Sequence, residues 1–462
     1  MTTIETRRDH HTVGHPGTGQ PVAPQGPVAR LIALSLASGA AVAGFLTLVV
    51  FPGGTESTIT GSLLVGFGVG WALMGWLTSQ FTTRPLRWAA VPAAAMVIPG
   101  AALLVFTPGG SAMAAMSWVW PVPTLVLAVH IWTHARRSVP RRGRWMITPV
   151  AAVLAVGSVG AFYEDVSVVR DHHVYSGPGA TYEVNGHRLY LDCRGHGSPT
   201  VVLSNGLGEV AASWTRIIDQ VGADTRVCAY DRAGQGWSGD VAHPQDGVTA
   251  ARDLHTLLRE AGEHGPYVLV GHSIGGSYAM TYAARYPRQV AGMVLLDSSS
   301  PHQFTRLPAY SAQYAVMLRR GLAFLPTLDR LGLGRLVADS LPSHFPQPTA
   351  DEVTSLTASA RGATNGRDEI SILPELFSQA GALTSLQGRP LAVLTSTDNL
   401  HKTAGWGEAQ GQLATLSTNV VHLVVDSTHP GLLEDQGPAR ASAAAIDAVI
   451  TAVRRGTHVS DR

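Results

Sequence analysis

Charge is scarce in this sequence. Asp, Glu, Lys and Arg make up 14% of its 462 residues, where a soluble globule carries about 25%. Lysine is almost missing, with Lys402 standing alone among arginines. Two cysteines, Cys193 and Cys228, exclude a disulfide-rich scaffold and a four-cysteine zinc site. The basic and acidic residues number 33 and 32, a net charge of +1, so no nucleic-acid-binding surface is indicated. Apolar residues are 45% of the chain, which excludes disorder for most of it. The length allows two or three domains. These absences leave a membrane segment joined to a folded domain.

The apolar residues are concentrated in five stretches near the roughly 20 residues that cross about 30 Å of hydrocarbon as helix. They are Leu31–Phe51, Ile59–Gln80, Leu86–Phe106, Ala112–Trp132 and Met146–Phe162, and apart from Arg87 at the start of the third they contain no Asp, Glu, Lys or Arg. A cleaved signal peptide explains the first stretch only, because four more would still hold the chain in lipid. Arginines alternate between loops. Arg7, Arg8 and Arg30 precede the first stretch, Arg84 and Arg87 follow the second, and Arg136, Arg137, Arg141, Arg142 and Arg144 follow the fourth. Pro52–Thr58 and Thr107–Ser111 contain no basic residue. By the positive-inside rule this predicts a multi-pass cell-membrane protein with a cytoplasmic N-terminus and everything after about Tyr163 outside. Pro92, Pro99, Pro121 and Pro123 predict kinks in the third and fourth stretches. With no carboxylate or basic group at depth, the bundle reads as an anchor rather than a transporter. Gly66, Gly68 and Gly70 lie inside a span and read as a helix-packing feature. Residues 1–27 read as a disordered cytoplasmic leader, 28–163 as the five-span region and 164–180 as a linker.

From about Ala180, short β-rich runs alternate with helical stretches. The runs are Arg188–Cys193, Thr200–Ser204, Arg226–Tyr230, Tyr267–Gly271, Gly292–Asp297, Pro390–Thr395 and Asn419–Asp426. Asn185-Gly186 marks a hairpin from a first strand to the second. Such alternation predicts an α/β domain, residues 181–455 with a tail at 456–462, built on a mostly parallel sheet covered on both faces. Within it lies Gly271-His272-Ser273-Ile274-Gly275-Gly276. Among 50 glycines a Gly-x-Ser-x-Gly pattern needs context, and the context is present. A strand run ends at Gly271, and Ser277–Tyr286 has helical spacing that stops before Pro287. A serine on such a turn projects its hydroxyl above the sheet.

On these residues the segment Tyr182–Val453 resembles the α/β-hydrolase superfamily. Leu203-Ser204-Asn205-Gly206-Leu207-Gly208 is similar to its oxyanion loop, with Asn205 where many members have His. Asp231-Arg232-Ala233-Gly234-Gln235-Gly236-Trp237-Ser238 and Val424-Val425-Asp426-Ser427-Thr428-His429-Pro430 match two later segments in chain order. The resemblance implies an α/β-hydrolase fold with an eight-stranded, mostly parallel sheet, following an all-α transmembrane bundle. It implies Ser273 as nucleophile, His429 as its general base, and the Leu207 and Ile274 N–H groups as the oxyanion hole. The acid that orients the imidazole is Asp297 or Asp398. Asp398 follows the penultimate strand, where most members keep it, but one residue early and without the usual Gly. Asp297 closes the preceding strand, and that better-defined strand end favours it.

About 90 residues separate Asp297 from Pro390. Helices are expected at Tyr310–Leu322, Leu328–Asp339, Asp351–Arg361 and Glu369–Gln379. In this family such an insertion (residues 299–388) is a lid, and long insertions in compact domains tend to be functional. Phe304, Leu307, Tyr310, Tyr314, Met317, Leu322, Phe324 and Leu325 would suit an apolar substrate or simply pack the helices together. The family strand order, 1-2-4-3-5-6-7-8, makes the strands of Cys193 and Cys228 neighbours, so a disulfide between them is expected outside the cell. No cofactor is implied. Neither His10-His11 nor Asp171-His172-His173 reads as a metal site. The expectation is a membrane-anchored serine hydrolase cleaving ester-like bonds of a small, apolar substrate. A catalytically silent receptor on the same fold is the alternative, and a peptidase or lyase the third reading.

Overall fold

The computed structural model describes residues 28–340 and 343–460. The expected leader, with Arg7, Arg8, His10 and His11, therefore lies outside the described residues. The N-terminal region is helical: α1 (Val28–Phe45, continued by a wider turn to Val50), α2 (Glu56–Phe81), α3 (Ala90–Phe106), α4 (Gly110–Ser117), α5 (Pro121–Ser138) and α6 (Arg141–Val174). Four helices, Val28–Val50, Glu56–Phe81, Arg87–Phe106 and Arg141–Val174, are long and apolar enough to cross a membrane. The stretch expected as a fourth continuous span is two helices, α4 and α5, bent by 57°. Pro121 starts α5, and a proline that cannot donate its N–H suits a first helical turn better than a helix interior. Counted as one span, the pair makes five.

Close helix packing follows from small residues. A methyl group on Gly66 would overlap Ala43 of α1, and one on Gly70 would lie 2.9 Å from the Ser35 carbonyl. Gly68 faces α3 instead, against Val97. The linker expected at 164–180 is corrected by the structure, because α6 continues unbroken to Val174. Burial of Glu164 and Asp171 explains the extension, since both pair with Arg335 from the insertion.

The sheet that follows has eight strands: β1 (Ala180–Val184), β2 (His187–Arg194), β3 (Val201–Ser204), β4 (Val227–Tyr230), β5 (Tyr267–His272), β6 (Val290–Leu296), β7 (Leu391–Ser396) and β8 (Val420–Val425). Their order is β1-β2-β4-β3-β5-β6-β7-β8. The first two pairings are antiparallel and the remaining five parallel. Asn185 and Gly186, both at positive φ, turn β1 into β2. Strands β3 to β7 are buried on both faces, as continuous Val/Leu runs require. Helices α7 (Thr215–Val221), α8 (Gly247–Glu260) and α9 (Ile274–Arg285) and a terminal helix, Gln436–Arg455, cover the sheet. Cys193 and Cys228 face each other directly across β2 and β4 and are joined by a disulfide.

The insertion between β6 and β7 is more broken than expected. Gly332 at φ 77° interrupts the Leu328–Asp339 stretch. Ser359 caps a new helix at Ala360 within Asp351–Arg361, and Ile372 divides Glu369–Gln379 ahead of Pro374.

Candidate active site

Parallel strands β5, β6 and β7 end at one edge of the sheet, and the candidate residues lie there. Ser273 joins β5 directly to α9 at φ 55° and ψ −126°, a strained conformation for a non-glycine residue. Its amide donates to the Leu296 carbonyl at 3.1 Å, and its carbonyl accepts from Ser299 at 2.9 Å. Glycine on both sides permits the turn. A Cβ on Gly271 would overlap Gly276, and one on Gly275 would overlap the Ser204 carbonyl of the oxyanion loop.

His429 follows β8, and its Nδ1 lies 2.6 Å from Asp297 Oδ2. Asp297, at φ 44° beyond β6, is fully buried. The Ser396 amide (3.2 Å) and the Trp406 indole (2.7 Å) donate to its Oδ1. The Ser396 hydroxyl (2.7 Å) and Asn399 Nδ2 (2.7 Å) donate to Oδ2 beside the imidazole. Burial pushes this carboxyl up, but the hydrogen bond and charge of His429, with those of Ser396 and Trp406, outweigh it and hold the group below the ordinary carboxylate range. Asp398 stands elsewhere, paired with Lys402 at 2.6 Å on a partly exposed helix. Of the two candidate acids, only Asp297 touches the imidazole.

The Leu207 and Ile274 amides donate no hydrogen bond to any described residue. Ile274 is the first residue of α9, where helix geometry leaves an N–H free. Asn205 is a scaffold residue. Its amide donates to the Tyr230 carbonyl at 3.0 Å, and its oxygen accepts from Trp214 at 2.8 Å.

Several neighbours were not evident from sequence. His272 is buried with Nδ1 on Glu209 and Nε2 at 3.0 Å from the His429 carbonyl. A carboxylate and a carbonyl can only accept, so the imidazole must donate from both nitrogens and is charged. Burial lowers the basicity of His272, but the charge and hydrogen bond of Glu209 reverse that and raise it, while His272 correspondingly depresses Glu209. Glu209 also accepts from the Gly206 amide, so the loop after β3 is tied through Glu209 to His272, and through His272 to the His429 carbonyl. Arg232 does similar work on the other side. It donates to the Asn205 carbonyl (2.6 Å) and the Gly206 carbonyl (3.2 Å), and pairs with Glu369 of the insertion.

An apolar wall completes the site. Leu207, Ile274, Tyr278, Phe304, Tyr310 and Tyr314 belong to one cluster, with the Phe304 ring 5.1 Å from Tyr310 and 5.0 Å from Tyr314. Leu307 is buried beside Trp406, whereas Met317 is exposed and outside the apolar cluster. His172 packs edge-on to Trp237 at 5.6 Å, and Asp171 pairs with Arg335.

A model of the alpha/beta hydrolase fold matches residues 199–348. The chain is 29% identical over 220 residues to an uncharacterized protein of Schizosaccharomyces pombe, covering 46% of this chain and 39% of that one. It is 27% identical over 210 residues to an AB hydrolase superfamily protein of Gibberella zeae, covering 42% and 61% respectively. The match thus spans between about a third and two thirds of these curated relatives. Among solved structures, the haloalkane dehalogenase DbeA of Bradyrhizobium elkani superposes with a TM-score of 0.50 at 17% identity, covering 60% of this chain and 99% of that chain. The part of the chain from β1 onward therefore has the alpha/beta hydrolase fold, preceded by a helical region whose helices are long and apolar enough to span a membrane.

Proposed function

We propose that this chain is a membrane-anchored serine hydrolase that cleaves carboxylic-ester-like bonds through an acyl-enzyme. The observation that carries this reading is the His429–Asp297 pair beside the strained Ser273 turn. In the reaction His429 Nε2 takes the Ser273 hydroxyl proton as the oxygen attacks the ester carbonyl. Asp297 holds the Nδ1 proton and stabilises the imidazolium. The developing oxyanion accepts from the Leu207 and Ile274 N–H groups. Collapse of the intermediate expels the alkoxide, which leaves as the alcohol with the proton from His429. Water then attacks the acyl-serine, giving its proton to His429, and the carboxylic acid departs as Ser273 recovers that proton.

The insertion serves as the lid, presenting Phe304, Tyr310 and Tyr314 to an apolar substrate. The arginine-bearing loops face the cytoplasm and the hydrolase domain faces outward. The Cys193–Cys228 disulfide agrees with an oxidising exterior. A panel of esters of increasing acyl length tests the proposal in the full-length protein. Turnover should rise with acyl length and fall by about 10⁶-fold in Ser273→Ala. Equal turnover by the two proteins would overturn it.

A further inference from the structure

The insertion does not merely cover the sheet edge; it also reaches down the helical bundle. The Leu331 carbonyl sits where any Cβ on Gly160 of α6 would be, and its side chain lies against Gly157. Thr327 hydrogen-bonds Thr60 of α2 at 2.9 Å. Arg319 donates to the Gly53 carbonyl at 3.0 Å and Arg320 to the Leu48 carbonyl at 3.3 Å.

These contacts fix a depth. At 1.5 Å per residue, Gly157 and Gly160 stand roughly 20 and 24 Å along α6 from Arg144, inside the approximately 30 Å thickness of a hydrocarbon core. Any tilt of α6 places them deeper still. Glu164 and Asp171, held by Arg335, begin where that core ends.

The same segment exposes a large apolar surface. Val316, Met317, Leu336 and Val337 are 63%, 65%, 59% and 57% exposed. That surface is continuous with the exposed apolar ends of the spans. Arg320 is bonded to Leu48, itself exposed beside Val49 and Val50, and Val166 and Val169 are exposed on α6 along the stretch that Arg335 grips. Tyr314, in the same helical stretch as Met317, packs in the apolar cluster around Ile274. A cleft of about 720 Å³ also runs from Gly109 and Met113, at the α3–α4 end, to Tyr278 and Ile372 of that cluster.

We propose that the segment Tyr314–Val337 is seated in the outer leaflet of the bilayer, and that the substrate is a long-chain acyl ester drawn from the lipid phase. The proposal rests on the reading above that the bundle crosses a membrane and that Ser273 is a nucleophile. Pairing of Arg335 with Glu164 and Asp171 and of Arg330 with Glu56, and the bonds of Arg319 and Arg320 to the carbonyls of Gly53 and Leu48 at the ends of the spans, permit this seating, because an unpartnered cation at that level would be costly.

Depth and turnover are tested separately on the full-length protein in phosphatidylcholine vesicles. Fluorophores are placed by Met317→Cys and Leu336→Cys, with Glu408→Cys, exposed on the Trp406–Ala414 helix after β7, as reference. Nitroxides attached to shallow acyl carbons should quench the first two labels and leave the third unaffected. Quenching of all three equally by a water-soluble agent would overturn the seating, whether or not the protein is an esterase. In the kinetic arm, Met317→Glu combined with Leu336→Glu should lower kcat/KM for a vesicle-borne long-chain ester about tenfold. Turnover of a soluble acetate ester should stay within about twofold. Equal losses on both substrates, or none, would overturn the lipid-phase route. Failure of both proteins to turn over any ester, with quenching intact, would remove the ester as substrate and leave the seating in place.

Discussion

At the scale of single residues, the protonation states near Ser273 are set by who can donate to whom. Asp297 accepts from Ser396, Asn399, Trp406 and His429 while fully buried, so only its ionised form satisfies those donors. Asp297→Asn should lower kcat about 10⁴-fold by removing the partner that fixes the imidazole tautomer. Asp398→Asn should stay within about twofold, because among the described residues that side chain bonds to Lys402 and not to the imidazole. Comparable losses in both variants would contradict this division of roles. The Glu209–His272 pair gives a stability signature. Glu209 is depressed, so its contribution is complete above the unfolded value of about 4.3 and is lost as pH falls through the folded value. His272 is raised, so its contribution is complete below about 6.5 and is lost as pH climbs through its folded value. Thermal melts should therefore be highest between those limits. Glu209→Gln should cost about 3 kcal/mol there and flatten the profile on both sides. Ser273 and His429 were legible because each sits in a local pattern, and Asp297 because it ends a strand. Glu209 and Asn399 were not, because their roles arise only when loops distant in sequence meet.

At the scale of elements, hydrophobic runs located the strands of the sheet to within a few residues, since buried parallel strands read as uninterrupted apolar runs. The insertion was less legible. Its helices break at Gly332, at the Ser359 cap and before Pro374, and a 3.6-residue period continues through such breaks without marking them. The length of α6 was misjudged for a related reason. Glu164, Asp165 and Asp171 look like the end of an apolar span, yet Arg335, more than 160 residues later, and Ser117 supply their partners. Arg335→Met should therefore destabilise the protein by about 3 kcal/mol, because two buried carboxylates lose their cation. Chemical denaturation in detergent, followed by near-ultraviolet circular dichroism, reads that loss. A midpoint equal to that of the wild type would place the arginine outside the structural framework.

At the scale of the whole molecule, two regions that composition separates are held together by one insertion. Its inner side packs on the cluster around Ile274, and Arg330 and Arg335 grip Glu56 of α2 and Glu164 of α6. A sequence that alternates apolar spans with arginine-rich loops announces the helical region. The elbow around Ser273 announces the hydrolase fold. What joins them was invisible, since no local pattern encodes a contact between residues 330 and 56. The central claim is chemical: Ser273 is a nucleophile made reactive by His429. Intact-protein mass spectrometry after exposure to a fluorophosphonate tests it most directly. One phosphonyl group should be added per chain, mapped by peptide fragmentation to Ser273, and absent from Ser273→Ala. The rate of addition should fall by about three orders of magnitude or more in His429→Ala. An unmodified wild-type chain, or an adduct on another residue that persists in Ser273→Ala, would contradict the account.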